Sequence, residues 1–141
     1  MKKWNKSVEQ LEKDIWKLNF EYPSELIEKV HIYRKVPIQY LTIEQLRFLT
    51  SQSIGLNHII ERIIFKLKND ILAKGDYYKG DLLVAISKVS LEEWLNNKNE
   101  FIELFDLVES NSEYLINTLS KRDFKKIYSN LMEKRKYLLN S

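Results

Sequence analysis

Apolar residues recur along this chain every three or four positions, with polar residues between them. That is the period of an amphipathic helix and not the alternation of a half-buried strand. The cleanest stripe is Leu56, Ile59, Ile60, Ile63, Ile64 and Leu67. It predicts one helix of about 14 residues with a single apolar face. Trp4, Val8, Leu11, Ile15 and Leu18 form an earlier stripe, and Ser7 with Gln10 is a capping-box pattern. A first helix is therefore expected from Val8 to Leu18.

Tyr22-Pro23-Ser24 breaks the pattern, and Ser24 can cap a second helix with Ile27, Val30 and Tyr33 on one face. Pro37 ends it, because proline cannot supply the next backbone N–H. Thr42 with Gln45 is another capping box, opening a short helix that carries Ile43, Leu46 and Leu49. Gly55 permits a turn before the long stripe. Leu82 to Val89 is nearly all apolar, so a short helix buried on most sides is expected there, with Asp81 placed to cap it. A strand is the alternative for LLVAI, but a lone strand has nothing to pair with. Ser90 with Glu93 opens a helix through Leu91, Trp94 and Leu95, continued by Phe101, Leu104, Phe105 and Val108. After Asn111-Ser112, the positions Leu115, Leu119, Phe124, Ile127, Tyr128, Leu131 and Leu138 predict one or two closing helices. The expectation is an all-α fold: one compact domain over residues 1–141, of about seven to nine helices, with no significant sheet.

Composition agrees with long helices and short connections: 141 residues hold three glycines and two prolines. There is no cysteine, which excludes disulfides, thiolate metal sites and cysteine nucleophiles. The N-terminus, MKKWNKSVEQLEKD, meets charge at once, and no run approaches the ~18 apolar residues of a membrane span. A cytoplasmic protein with no membrane contact is expected. The formal net charge of +3 is uneven. Residues 1–110 carry 17 acidic and 16 basic side chains, and residues 111–141 carry three and seven.

Candidate chemistry is sparse. His31 and His58 stand in no ligand spacing, so no metal is expected. The segment GDYYKGD lacks the Lys-Ser/Thr of a phosphate loop. Asp76 and Asp81 could form a catalytic carboxylate pair, but Asp beside Gly is ordinary turn chemistry, and that reading is preferred. No catalytic residue and no cofactor are expected. Tyr77 and Tyr78 are either core anchors with hydroxyls at the surface or part of a contact surface. Leu91 to Glu113 holds seven acids against one base, Lys98. Glu92, Glu93, Glu100, Glu103, Asp106 and Glu109 within it form either a solvated face or a negative patch for a basic partner. The tail KRDFKKIY mixes bases with aromatics. It is read chiefly as a closing amphipathic helix, with nucleic-acid binding as the rival function.

One stretch resembles a known family. Leu41 to Ile86 carries Leu41, Thr42, Glu44, Leu46 and Arg47, then Ile54, Gly55 and Leu56. After the hydrophobic helix come Gly75, Asp76, Tyr77, Tyr78, Gly80, Asp81, Leu82 and Leu83. This arrangement is similar to the core signature of the contact-dependent growth inhibition (CDI) immunity proteins, CdiI. The resemblance covers about a third of the chain. Lys74 and Asn69-Asp70 depart from it at the entry to the loop. It implies a cytoplasmic, non-catalytic protein that binds the C-terminal toxin domain of a cognate CdiA effector, one to one, and blocks it. Many such toxins are nucleases, whose phosphate grooves are basic. On this reading the acidic residues from Glu92 to Glu109 contact the toxin, with Tyr77 and Tyr78 as weaker contacts. Direct binding of nucleic acid is not expected. Gly55, Gly75, Asp76, Tyr77, Tyr78, Gly80 and Asp81 would chiefly specify the fold.

Overall fold

A computed structural model of the protein describes residues 3–16 and 24–139. Among these residues it is all-α: nine helices and no strand. The order is α1 (Val8–Glu12), α2 (Glu25–Arg34), a 3-10 turn (Ile38–Tyr40), α3 (Ile43–Ser51), α4 (Leu56–Asn69) and α5 (Asp81–Ser87). Then follow α6 (Leu91–Leu95), α7 (Lys98–Ser110), α8 (Ser112–Leu119) and α9 (Lys121–Leu139).

Helix α4 spans the 14 residues that its stripe predicts, and all six stripe residues are buried. It lies at the middle of the core, packed against α1, α3, α7 and the 3-10 turn. Helix α5 packs on α3 and α9, and α8 on α9. The capping boxes at Ser7–Gln10 and Thr42–Gln45 form with both reciprocal bonds. Ser24 and Ser90 each accept one N–H, from Ile27 and Glu93. Each satisfies a donor that a helix N-terminus leaves without an intrahelical partner. Gly55 precedes α4 at φ +64°, and a Cβ there would stand 2.6 Å from Val8 Cγ1. Only glycine meets both demands.

Four expectations need correction. The first helix stops at Glu12, where Lys13 adopts φ 56° and returns its N–H to Glu9. Ile15 is consequently exposed, and Leu18 lies outside the described residues. The cause is Arg34, 1% exposed, whose Nη2 donates to Glu12 Oε1 (2.9 Å) and to the Asp14 carbonyl (2.8 Å). A continuing helix would have used that carbonyl itself. Trp16 covers the same guanidinium at 4.3 Å.

Second, the helix expected from Leu91 to Val108 is two helices. Asn97 Nδ2 donates to the Glu93 carbonyl and to Asn57 Oδ1, both at 2.9 Å. That carbonyl is the one the Asn97 N–H would take in an unbroken helix. The N–H turns instead to Trp94 O at 2.9 Å, and the helix closes. Third, α2 buries Val30, His31 and Arg34 but leaves Leu26, Ile27 and Ile32 exposed, so its predicted apolar face is only partly covered. Fourth, Asp81 does not cap α5. It is the first residue of that helix, and Gly80, at φ 87°, holds the cap position.

Candidate functional site

The Asp81 carboxylate has a different task. It is 3% exposed and turned back into the GDYYKGD loop, where it accepts the N–H of Gly75 (2.6 Å), Tyr77 (3.1 Å) and Tyr78 (3.4 Å). Charged acceptors of this kind make the stronger class of hydrogen bond. Gly75 is needed for space and not for backbone angle. A Cβ on it would lie 2.6 Å from Glu44 Oε1 and 3.0 Å from Asp81 Oδ2.

Glu44 joins this loop to α3. Its Oε1 accepts the Asp76 N–H (2.9 Å) and Arg47 Nε (2.7 Å), and its Oε2 accepts Arg47 Nη2 (2.6 Å). The forked pair is bidentate, the geometry that fixes an arginine most firmly. The Arg47 hydrogen bond holds the Glu44 carboxyl below its ordinary range, against a smaller upward push from burial. Glu44 in turn raises Arg47. The guanidinium lies over the Tyr77 ring, 4.6 Å from its centre. The motif halves from α3 and from the loop thus form one interlocked unit.

Tyr77 and Tyr78 themselves are 68% and 52% exposed. The core-anchor alternative is excluded, and both rings stand at the surface. Asp76 and Asp81 are held in different ways. Three backbone amides occupy Asp81, whereas Asp76 is exposed and engaged through its backbone. Among the described residues, no three His, Cys, Asp or Glu side chains gather as a metal ligand set. His31 is buried beside Trp16, and His58 is half-buried on α4.

The six acidic residues of α6 and α7 do not share one face. Glu100, Glu103, Asp106 and Glu109 recur every three residues, and each such step rotates by about −60° on a helix. From first to last the carboxylates turn about half-way round α7. Glu103 accordingly pairs with Lys68 of α4, and Glu109 accepts the Tyr128 hydroxyl of α9 at 3.0 Å. Glu92, Glu93, Glu100 and Asp106 make no such side-chain bond among the described residues. Two apolar side chains, Leu95 and Ile102, are exposed on the same two helices. Ile102 lies on one ridge with Asp106, and Leu95 on one with Glu92.

Sequence reasoning did not assign the roles of Arg34, Asn97 or the Glu44–Arg47 fork. The fork had a visible signal, an acid and a base three residues apart on a helix. The other two depend on partners 20 to 40 residues away.

The family model for CDI immunity proteins matches residues 10–104, two thirds of the chain. The match takes in α3, α4, the GDYYKGD loop, α5 and α6, and it ends inside α7. The chain belongs to the family of CDI immunity proteins. No curated protein matches it. No helix among the described residues is long and apolar enough to cross a membrane.

Proposed function

We propose that this protein neutralises the C-terminal toxin domain of a cognate CdiA effector by binding it one to one in the cytoplasm. The toxin is a nuclease, and inhibition is by occlusion, without catalysis or a cofactor. The observation that carries this reading is the family match over residues 10–104.

The contact surface proposed is the outer side of α6 and α7. Glu92, Glu93, Glu100 and Asp106 supply carboxylates that no side chain of this protein neutralises among the described residues, and Leu95 and Ile102 supply apolar area beside them. Glu103 and Glu109 contribute less, because each already has an internal partner. A nuclease presents a basic groove for phosphates. An acidic surface facing it speeds encounter and sets orientation, and exposed apolar residues add affinity on contact. Tyr77 and Tyr78, on the α3–α5 side of the molecule, are a second and weaker contact, with large side chains that lose little entropy on binding.

The test is binding of the purified C-terminal fragment of the proposed cognate effector. Replacing Glu92, Glu100 and Asp106 with lysine is expected to weaken the complex roughly tenfold or more, mainly through slower association at low salt. Unchanged association by that variant would remove the α6–α7 surface from the account.

A further inference from the structure

A second charged feature lies elsewhere on the molecule and has the opposite sign. Between α5, its entry loop and the first half of α9 runs a groove of about 800 Å³. Lys79, Lys88, Arg122, Lys125 and Lys126 line it, and the only carboxylate among the lining residues is Asp123. None of the five cations forms an ion pair among the described residues. This differs from α7, where two of the acids are already engaged.

The groove combines charge with apolar surface. Val84, Leu119 and Ile127 contribute to its lining, and Tyr78 stands at its edge. Tyr78, Val84 and Lys88 also line a neighbouring cavity of about 340 Å³. The two sides are tied together: Lys134 Nζ donates to the Ser87 carbonyl (3.1 Å), and Asn130 Nδ2 to Ser87 Oγ (3.4 Å). A cleft held in this way is shaped before a partner arrives, which lowers the ordering cost of binding.

Spacing indicates what fits. Arg122 and Lys126 stand four residues apart on α9, about 6 Å along the axis. In an extended peptide, side chains on one face recur about every 6.6 Å. Carboxylates at alternate positions of such a segment reach both cations, while an intervening apolar side chain can meet the groove lining. Nucleic acid fits less well. Base stacking needs several free ring faces along the groove; Tyr78 is the one aromatic among the lining residues, and Phe124 and Tyr128 of the basic run are taken up by packing on other rings. Phe124 stacks on Tyr128 with centroids 5.6 Å apart, and Tyr128 packs on Phe105 at 5.8 Å.

We propose that the groove between α5 and α9 receives an extended acidic segment of the toxin domain, with its carboxylates on Lys79, Arg122 and Lys126 and an apolar side chain against Val84 and Leu119. The proposal rests on the immunity reading above and adds a second point of attachment to it. Its salt dependence follows from the groove cations and is separable from that of the α6–α7 acids.

The test compares the full-length protein with a variant carrying Arg122→Glu, Lys125→Glu and Lys126→Glu. Three probes are used: the effector C-terminal fragment, an array of overlapping synthetic peptides covering that fragment, and a labelled single-stranded oligonucleotide. The unmodified protein is expected to capture peptides rich in Asp and Glu. The variant should lose them and bind the whole fragment at least roughly tenfold more weakly, with a changed salt dependence. Thermal melting checks that the variant is folded. If it is not, the Arg122→Gln, Lys125→Gln and Lys126→Gln set carries the same comparison. Undiminished affinity of the folded variant, or no acidic peptide captured, overturns the groove proposal while a complex with the unmodified protein leaves the immunity reading standing. Tighter binding of the oligonucleotide than of any peptide also overturns it. Absence of any complex with the unmodified protein defeats both.

Discussion

The carboxylate of Asp81 accepts the backbone N–H of Gly75 at 2.6 Å, from the first turn of α5 back across the loop that precedes it. The same carboxylate takes the amides of Tyr77 and Tyr78. One buried side chain thus sets the path of the segment that presents the two exposed tyrosines. Replacing Asp81 with Ala leaves three amides without that acceptor, and a loss of about 3 kcal/mol is expected. Asn, which can keep part of the set, should cost less. Urea denaturation of the two variants checks the order.

Glu44 gives the protein a predictable acid response. Its folded pKa is lowered, first by the Arg47 hydrogen bond. A lowered carboxyl contributes stability that is complete above its unfolded value, about 4.3. That contribution is lost as pH falls through the lower folded value. Glu44→Gln should therefore cost about 1–2 kcal/mol near neutral pH and flatten the acid limb of the stability profile. Denaturation midpoints measured from pH 7 down to pH 3 for both proteins provide the check. Parallel acid limbs would show that Glu44 does not carry this dependence.

Trp94 is fully buried against Phe101, with ring centres 5.3 Å apart, yet its indole N–H has no acceptor among the described residues. A buried donor without a partner is costly. Trp94→Phe removes that donor along with part of the ring, so the two effects oppose each other. A net loss of no more than about 1 kcal/mol is expected, against about 3–5 kcal/mol for Trp94→Ala. A thermal melt separates the two cases.

At Gly55 an alanine meets two penalties, the φ of +64° and contact with Val8. The backbone term alone is about 1–2 kcal/mol. Gly55→Ala should exceed it, and Gly55→Ala with Val8→Ala should recover the steric share of the loss. A double-mutant cycle measures the recovery.

The helices were legible wherever a local signal governs them. The α4 stripe is strong, and the boxes at Ser7 and Thr42 are closed by residues three positions away. Two of the misjudged boundaries are set from a distance. Arg34 ends α1 from 20 residues away, and Asn57 fixes Asn97 across 40. No window of sequence contains both partners. The site divides in the same way. Motif spacing marked Glu44, Arg47, Gly75 and Asp81, but the bond from Asp76 to Glu44 spans 32 positions and appears only in the folded chain. The acids of α7 cluster in sequence, which suggests either one solvated face or one negative patch. Their three-residue spacing winds them round the helix, so two of them meet Lys68 and Tyr128.

The most direct measurement is a nuclease assay of the C-terminal fragment of the proposed cognate CdiA effector, titrated with this protein. Occlusion by a stoichiometric partner predicts that activity falls in proportion to the protein added and reaches background at one equivalent. Full cleavage in the presence of a folded excess would contradict the account at its centre.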